Sequence, residues 1–170
     1  MKRWLWIALL VPGSLWPAEG KKLNGYVLDP AAFRKIRSYC VDTHNLPPDQ
    51  VKLIDHFVSV ESKPKGLFAK LPWSRRESCQ DPGLGGIVRM EFPHDPTSPR
   101  EHEVKGALLV FRPGSPSPIY ETPAVTIEGE PRRHSDEEEE YAADLVANVL
   151  EYSVLSTTVR MLIHDWKTMR

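Results

Sequence analysis

The chain has 170 residues, of which 26% are charged, and a formal net charge of −1. A charge this close to neutral gives no indication of nucleic acid or of an anionic membrane as a partner. No stretch carries a recognisable catalytic or cofactor-binding motif, so no cofactor is predicted.

The first eighteen residues have the pattern of a secretory signal peptide. Lys2 and Arg3 give a positive start, residues 4–11 are apolar, and Ala18 is a small residue suited to cleavage. Trp16 stands where the cleavage pattern favours a small residue, which leaves an uncleaved leader acting as a membrane tether as the alternative. The leader predicts export to the periplasm or secretion.

Two other interpretations of the leader fit less well. A membrane-spanning helix needs about 20 consecutive apolar residues, and Pro12 interrupts this run well before that length. A lipoprotein signal places a cysteine directly after its apolar segment, whereas the first cysteine here is Cys40. We therefore predict no transmembrane span once the leader is removed.

Cleavage after Ala18 would leave residues 19–170, a length of 152 residues, with a net charge of −3. That length is typical of one domain with a single core. The expected organisation is a signal peptide at 1–18 followed by one α/β domain at 19–170.

Export changes the interpretation of the two cysteines. In an oxidising compartment an even pair favours a disulfide, so we predict a bridge between Cys40 and Cys79. Closing a loop of about 40 residues would stabilise the fold by roughly 4 kcal/mol. The alternatives are two buried thiols or a redox pair, and the pair lacks the two-residue spacing that redox chemistry usually uses.

The first half of the domain predicts alternating strands and helices. Asp29 is suited to cap a short turn at Pro30–Phe33, and Lys35–Asp42 favours the first strand. Apolar residues at helical spacing predict an amphipathic helix at Val51–Ser62. Leu67–Trp73 is interpreted as a second strand.

The second half predicts the centre of the sheet. Ile87–Phe92 is a third strand, and the nearly continuous apolar run Val104–Arg112 predicts a central one. Ile119–Glu121 and Ala124–Glu128 together form one interrupted strand that returns as a hairpin.

A long helix closes the chain. Ser135 and Glu138 form a capping box ahead of an acidic first turn. Some thirty helical residues span roughly 45 Å, so either the acidic end overhangs or the helix bends near Ser156–Thr158. The predicted apolar stripe consists of Leu145, Val149, Tyr152, Val159, Ile163 and Trp166, widened by Val146, Leu150, Leu155 and Leu162.

One loop gathers residues that could ligate a metal ion. It contains His94, Asp95, Glu101, His102 and Glu103. Imidazole and carboxylate groups suit a divalent ion, but the polar composition of a surface loop explains them equally well. We assign no metal site here and keep a small exported metal-dependent hydrolase as the alternative function.

Two adjacent acid–histidine pairs lie on the predicted helices. They are Asp55 with His56 and His164 with Asp165. Neighbouring residues on a helix do not face each other, so neither pair is expected to form a catalytic dyad. We assign no catalytic residue.

The order of elements resembles that of the small α/β domain of bacterial cell-envelope proteins such as the curli-secretion lipoprotein. The segments that carry the resemblance are I-R-S-Y-C-V-D, the Pro47-Pro48-led helix, L-F-A-K-L, G-I-V-R-M-E-F, A-L-L-V-F-R-P-G-S-P-S-P-I-Y and the closing helix. The chain lacks the lipoprotein cysteine and has a proline-rich insert of its own. The resemblance implies a non-enzymatic role in binding a protein or envelope partner, and it transfers no site residue.

Overall fold

The structure, a computed structural model, describes residues 22–92, 103–128 and 136–170, with the backbone alone for 136–148. The predicted leader lies outside these ranges. The described residues form one α/β domain in which a mixed sheet packs against helices on one face. The strands are β1 (Tyr26–Val27), β2 (Ser38–Asp42), β3 (Ser74–Arg75), β4 (Gly86–Glu91), β5 (Glu103–Phe111), β6 (Pro118–Glu121) and β7 (Val125–Glu128), and the helices are α1 (Pro30–Lys35), α2 (Pro48–Glu61) and α3 (Asp136–Thr168).

The sheet is centred on β4 and β5, as the apolar run of β5 predicts. Its order is β1-β6-β5-β4-β2-β3, and β7 also pairs with β5. The pairings of β2 with β3 and β4 are parallel, and the others are antiparallel. The predicted single α/β domain with a long C-terminal helix is confirmed.

Strands β6 and β7 are two parts of the predicted interrupted returning strand. Both pair with β5, which they follow along one edge from Phe111 back to Glu103. At the interruption, the amide of Leu108 donates to Oγ1 of Thr122 at 2.9 Å, and the amide of Thr122 donates to the carbonyl of Leu108 at the same distance. The hydroxyl therefore satisfies a buried donor that the ladder would otherwise leave without a partner.

An aromatic cluster ties the first and last helices to the sheet. The ring of Phe33 stacks on Tyr120 at 4.9 Å and meets Trp166 edge-on at 5.4 Å. Trp166 also lies 5.0 Å from Trp73, and all four rings are buried. Helix α1 begins as predicted, because the Asp29 carboxylate accepts a hydrogen bond from the Ala32 amide at 2.9 Å.

Helix α3 crosses the inner face of the sheet as one continuous element. Its 33 residues correspond to about 50 Å, and the helix passes through Ser156–Thr158 without interruption. The hydroxyls of Thr157 and Thr158 donate to carbonyls of the preceding turn. The predicted capping residue Ser135 lies outside the described ranges.

The apolar stripe of α3 differs from the prediction in its first half. Val149 is 57% exposed, whereas Leu150 and Val154 are buried. The side chain of Val154 packs over Gly106 of β5, where a Cβ atom would come within 2.7 Å of it. The close contact between α3 and β5 at Gly106 determines which residues of α3 face the sheet. Helical periodicity alone does not determine them.

The segment Leu67–Trp73 is a correction to the sequence analysis, which predicted a strand. Phe68–Lys70 forms a 3-10 turn, and the strand β3 follows it at Ser74. Leu67, Phe68 and Leu71 are buried while the two residues between them are exposed. This spacing is helical, and the L-F-A-K-L pattern therefore fits a turn better than a strand. The short edge strands β1 and β3 were not predicted.

The predicted bridge between Cys40 and Cys79 is present. Their Cα atoms are 5.3 Å apart and the bond spans 39 residues of sequence. It attaches the loop after β3 to β2, where the Ser38 hydroxyl also accepts a hydrogen bond from the Gly85 amide at 3.0 Å. A structural disulfide of this kind is typical of proteins in oxidising compartments outside the cytoplasm.

Candidate functional site

A groove of about 480 Å³ lies between α2 and α3 on the side away from the sheet. Its apolar wall is formed by Leu53, Val149 and Tyr152. Val149 is more than half exposed, although it lies beside the buried Leu150. The polar rim residues Asp49, Lys52 and His56 all come from α2 and are exposed.

Local sequence explains how α2 presents this rim. Pro48 occupies the first helical position, where the amide that proline lacks would have no partner within the helix. Asp49 lies in the first turn, where its negative charge interacts favourably with the helix dipole. Ile54, Phe57 and Val58 are buried against the core. The opposite side of α2 consequently turns Asp49, Lys52 and His56 to solvent.

The base of the groove is fixed by a hydrogen-bonded pair. The Tyr152 hydroxyl donates to Oε1 of Glu61 at 2.7 Å, and Oε2 of Glu61 accepts from the Leu67 amide at 2.7 Å. The hydrogen bond from Tyr152 holds the pKa of Glu61 below its ordinary value. Burial, together with the neighbouring carboxylate, raises the pKa of Tyr152 to about 12. Tyr152 is therefore a neutral, positioned wall of the groove at physiological pH.

Two carboxylates, those of Asp49 and Glu151, lie close enough to interact at the Asp49 end of the groove rim. Glu151 is partly buried, and its pKa is raised, first because of burial and second because of the nearby Asp49 carboxylate. Two carboxylates that repel each other are stabilised by a cation placed between them. This end of the groove is therefore suited to a positively charged group.

A second depression lies on the open face of the sheet. Its main polar side chain, Arg89, already interacts with other residues of the domain. It has a volume of about 400 Å³ and includes Arg89 and Phe92. The Arg89 guanidinium donates to the Asp42 carboxylate at 2.7 Å and lies 4.9 Å from the centre of the Phe111 ring. Since Arg89 is paired and stacked within the domain, we favour the groove between α2 and α3 as the candidate site.

The structure does not test the candidate metal-binding loop. His94, Asp95, Glu101 and His102 lie outside the described residues, and Glu103 begins β5 opposite Glu128. Among the residues that are described, no group of three or more histidine, cysteine or acidic side chains could hold a metal ion. The site favoured above shares no residue with that loop.

One adjacent acid–histidine pair is in contact, contrary to the sequence analysis. Nδ1 of His164 lies 2.9 Å from Oδ1 of Asp165, because the His164 ring turns back along the helix toward the buried carboxylate. His164 is half exposed, whereas the Asp165 side chain is fully buried.

Asp165 is a residue whose role the sequence analysis missed. Its Oδ1 accepts a hydrogen bond from the Asn24 amide at 2.8 Å, and its Oδ2 accepts from the Gly25 amide at 2.7 Å and from the Tyr120 hydroxyl at 2.9 Å. Burial and the Asp165 charge raise the pKa of Tyr120, so this hydroxyl remains a donor. We call this arrangement the Asp165 latch, because it holds the start of the domain against the last helix.

No local signal in the sequence identifies the latch. Two of its partners are 140 and 141 residues from Asp165 along the chain, and Tyr120 is 45 residues away. A polar residue amid the buried positions of α3 was the one available indication, since a buried carboxylate requires several donors. The four groups that meet there leave little acceptor capacity for a ligand, so the latch is structural.

Comparison with known proteins adds no family assignment. No protein-family model matches the sequence, and no curated protein matches it. Two solved structures of the PelC dodecamer from Paraburkholderia phytofirmans are similar in outline. One has a TM-score of 0.44 and 11% identity over 82% of this chain and 92% of that one, and the other has a TM-score of 0.41 and 13% identity over 78% and 91%. Scores at this level transfer neither assembly nor function.

The class that the structure defines is therefore a disulfide-bonded, two-layer α/β domain. Within the described ranges, no helix combines the length and apolar character needed to cross a membrane.

Proposed function

We propose that this chain is an exported, non-enzymatic envelope protein that binds a segment of a protein partner in the groove between α2 and α3. The observation that carries the proposal is the apolar wall of this groove, in which Val149 is 57% exposed. A contiguous apolar patch with a polar rim, such as Leu53, Val149 and Tyr152 beside the rim residues of α2, is typical of an interaction site. The leader and the Cys40–Cys79 bridge support a periplasmic or secreted location.

The chemistry of the groove suggests what kind of segment it binds. Two helices with an apolar channel between them suit an amphipathic helix or an extended apolar segment. Asp49 and Glu151 place negative charge at one end, so a lysine or arginine beside the apolar residues of the partner would pair with them. The proposed partner segment is therefore apolar on one side and basic at one end.

A pair of synthetic peptides tests this proposal. One is an amphipathic peptide of leucine and lysine, and the other has glutamate in place of every lysine. We expect saturable binding of the lysine peptide, with NMR shift changes centred on Leu53, Val149 and Tyr152. The glutamate peptide should bind more weakly, because Asp49 and Glu151 repel it.

Substitutions locate the binding site. Val149→Ser should weaken binding by about fivefold, the loss expected when a half-exposed valine no longer buries its methyl groups. Asp49→Lys should reduce the preference for the lysine peptide. Ala69→Ser and Asp55→Lys are matched controls at exposed positions outside the groove, and they should leave binding unchanged.

Three outcomes would contradict the proposal. They are no saturable binding of the lysine peptide, shift changes that centre outside the groove, and equal losses of affinity in the variants and their controls. If the peptide experiments support the proposal, a photo-crosslinking residue at position 149 identifies the natural partner in cells. The same residue at position 69 is the control.

A further inference from the structure

Five basic residues lie at the C-terminal ends of α1 and α3 or within two residues of those ends. Arg34, Lys35 and Arg37 come from the end of α1 and the residues after it, and Lys167 and Arg170 come from the end of α3. All five are exposed. We call this surface the basic pole.

Aromatic packing fixes the position of the basic pole. The guanidinium carbons of Arg37 and Arg170 lie 5.9 and 5.4 Å from the centre of the Trp166 ring, which is itself 1% exposed. Nε of Arg34 donates to the Met169 carbonyl at 3.0 Å. Cation–π contacts and this hydrogen bond hold the charges on a buried, rigid base.

Among the described residues, none of the five basic side chains forms an ion pair with an acidic side chain. The acids on α1 and the end of α3 are Asp29 and Asp165. Asp29 caps α1 at its opposite end and faces Arg112 at 3.9 Å, and Asp165 is buried within the latch.

The start of the domain lies at the same pole. The latch holds the amides of Asn24 and Gly25 against Asp165, which directly precedes Trp166 in the chain. Asn24 follows Ala18 by six positions, a reach of about 20 Å when fully extended. In the precursor, before cleavage, a leader inserted in the membrane would therefore bring this pole close to the bilayer surface.

Two exposed apolar side chains follow the latch. Tyr26 is 61% exposed and Leu28 is 55% exposed. Tyrosine is enriched at membrane–water interfaces because its ring is amphipathic. Peripheral membrane proteins combine exposed apolar side chains with basic ones.

We infer that the basic pole is a docking surface for a bilayer that contains anionic phospholipids. Phosphate headgroups match the fixed guanidinium groups, and the latch holds the start of the described domain at this pole. The net charge of −1 gives no indication of this surface. The acidic residues 136–140 at the start of α3 offset the basic residues at its end in the total. The inference does not depend on the groove between α2 and α3.

The test measures binding to vesicles. The processed protein is recovered from the periplasm of an exporting bacterium and floated with vesicles of phosphatidylcholine, with or without phosphatidylglycerol. We expect binding to the anionic vesicles alone. Binding should be lost in about 1 M salt, where the screening length is about 3 Å.

A triple variant removes three charges of the basic pole without touching its hydrogen bonds. Lys35→Gln, Lys167→Gln and Arg170→Gln together should weaken the partition coefficient by roughly a hundredfold, since each basic residue near an anionic surface contributes about fivefold. The control variant carries Lys63→Gln, Lys65→Gln and Lys70→Gln, which remove equal charge from exposed positions after α2 and outside the groove. Thermal unfolding verifies that both variants fold.

Several results would overturn the inference. Absence of binding to anionic vesicles would do so, as would equal binding to neutral vesicles or an equal loss in the control variant. Sedimentation at low salt measures self-association of the protein. It tests the alternative that the basic pole binds the acidic start of α3 in a second copy of the chain. If the basic-pole variant loses self-association but keeps its vesicle binding, the pole is a protein contact and the inference is wrong.

Discussion

The Asp165 latch predicts a large and specific loss of stability in the variant Asp165→Asn. The carboxylate accepts hydrogen bonds at both oxygens, from Asn24 and His164 on one side and from Gly25 and Tyr120 on the other. An amide that replaces it must turn its NH₂ group toward one of these two pairs. Two donors then face another donor in a buried site.

The expected size of the loss follows from the number of donors affected. A hydrogen bond to a charged group contributes about 1.5–3 kcal/mol, so two lost bonds lower the free energy of unfolding by about 3–6 kcal/mol. Tyr120→Phe removes one donor and leaves the others paired, so it should cost about half as much. A loss of this size is a substantial part of the 5–15 kcal/mol that typically stabilises a domain.

Urea denaturation of the purified variants measures these free energies. Hydrogen exchange adds a local measurement, because the amides of Asn24 and Gly25 should lose protection in Asp165→Asn and retain it in Tyr120→Phe. His164→Gln is the control at the half-exposed contact and should cost less than either. A loss below about 1 kcal/mol in Asp165→Asn, or unchanged protection of both amides, would refute the assigned role of the latch.

Three further predictions concern the bridge, the groove and the contact between α3 and the sheet. Replacing Cys40 and Cys79 by serine should lower the free energy of unfolding by about 4 kcal/mol in urea, and an unchanged midpoint would contradict it. Because the pKa of Tyr152 is raised to about 12 in the fold, ionisation favours the unfolded chain as the pH rises from 10 toward 12, so stability should fall there less steeply in Tyr152→Phe than in the wild type. Gly106→Ala should lower the free energy of unfolding by about 1–3 kcal/mol through overpacking against Val154. Adding Val154→Ala should recover part of that loss. If it does not, Val154 is not the source of the strain.

The apolar pattern of a segment predicted its secondary structure correctly where that pattern matches the way the segment packs in the fold. The run Val104–Arg112 forms β5, which is paired along both edges at the centre of the sheet, and the α2 stripe faces one core. The pattern was misinterpreted at Leu67–Trp73, where two adjacent buried residues, Leu67 and Phe68, fit a turn rather than an alternating strand. Two-residue strands such as β1 carry too few residues to show any period.

Site features depended on contacts between distant segments. Tyr152 meets Glu61 across 91 residues, and Asp165 meets Gly25 across 140, so no spacing rule applied to one segment could find either pair. Net charge likewise sums over the molecule and hides its distribution. Acidic residues at the start of α3 and basic residues at its end cancel in the total but lie about 50 Å apart along the helix.

The latch also has a consequence for the order of events during synthesis. Asn24 and Gly25 emerge early from the ribosome, but their acceptor Asp165 and the core residue Trp166 are made among the last. Until then, Phe33, Trp73 and Tyr120 lack the ring that completes their cluster. The aromatic cluster of the core therefore cannot be completed before residue 166 has been synthesised.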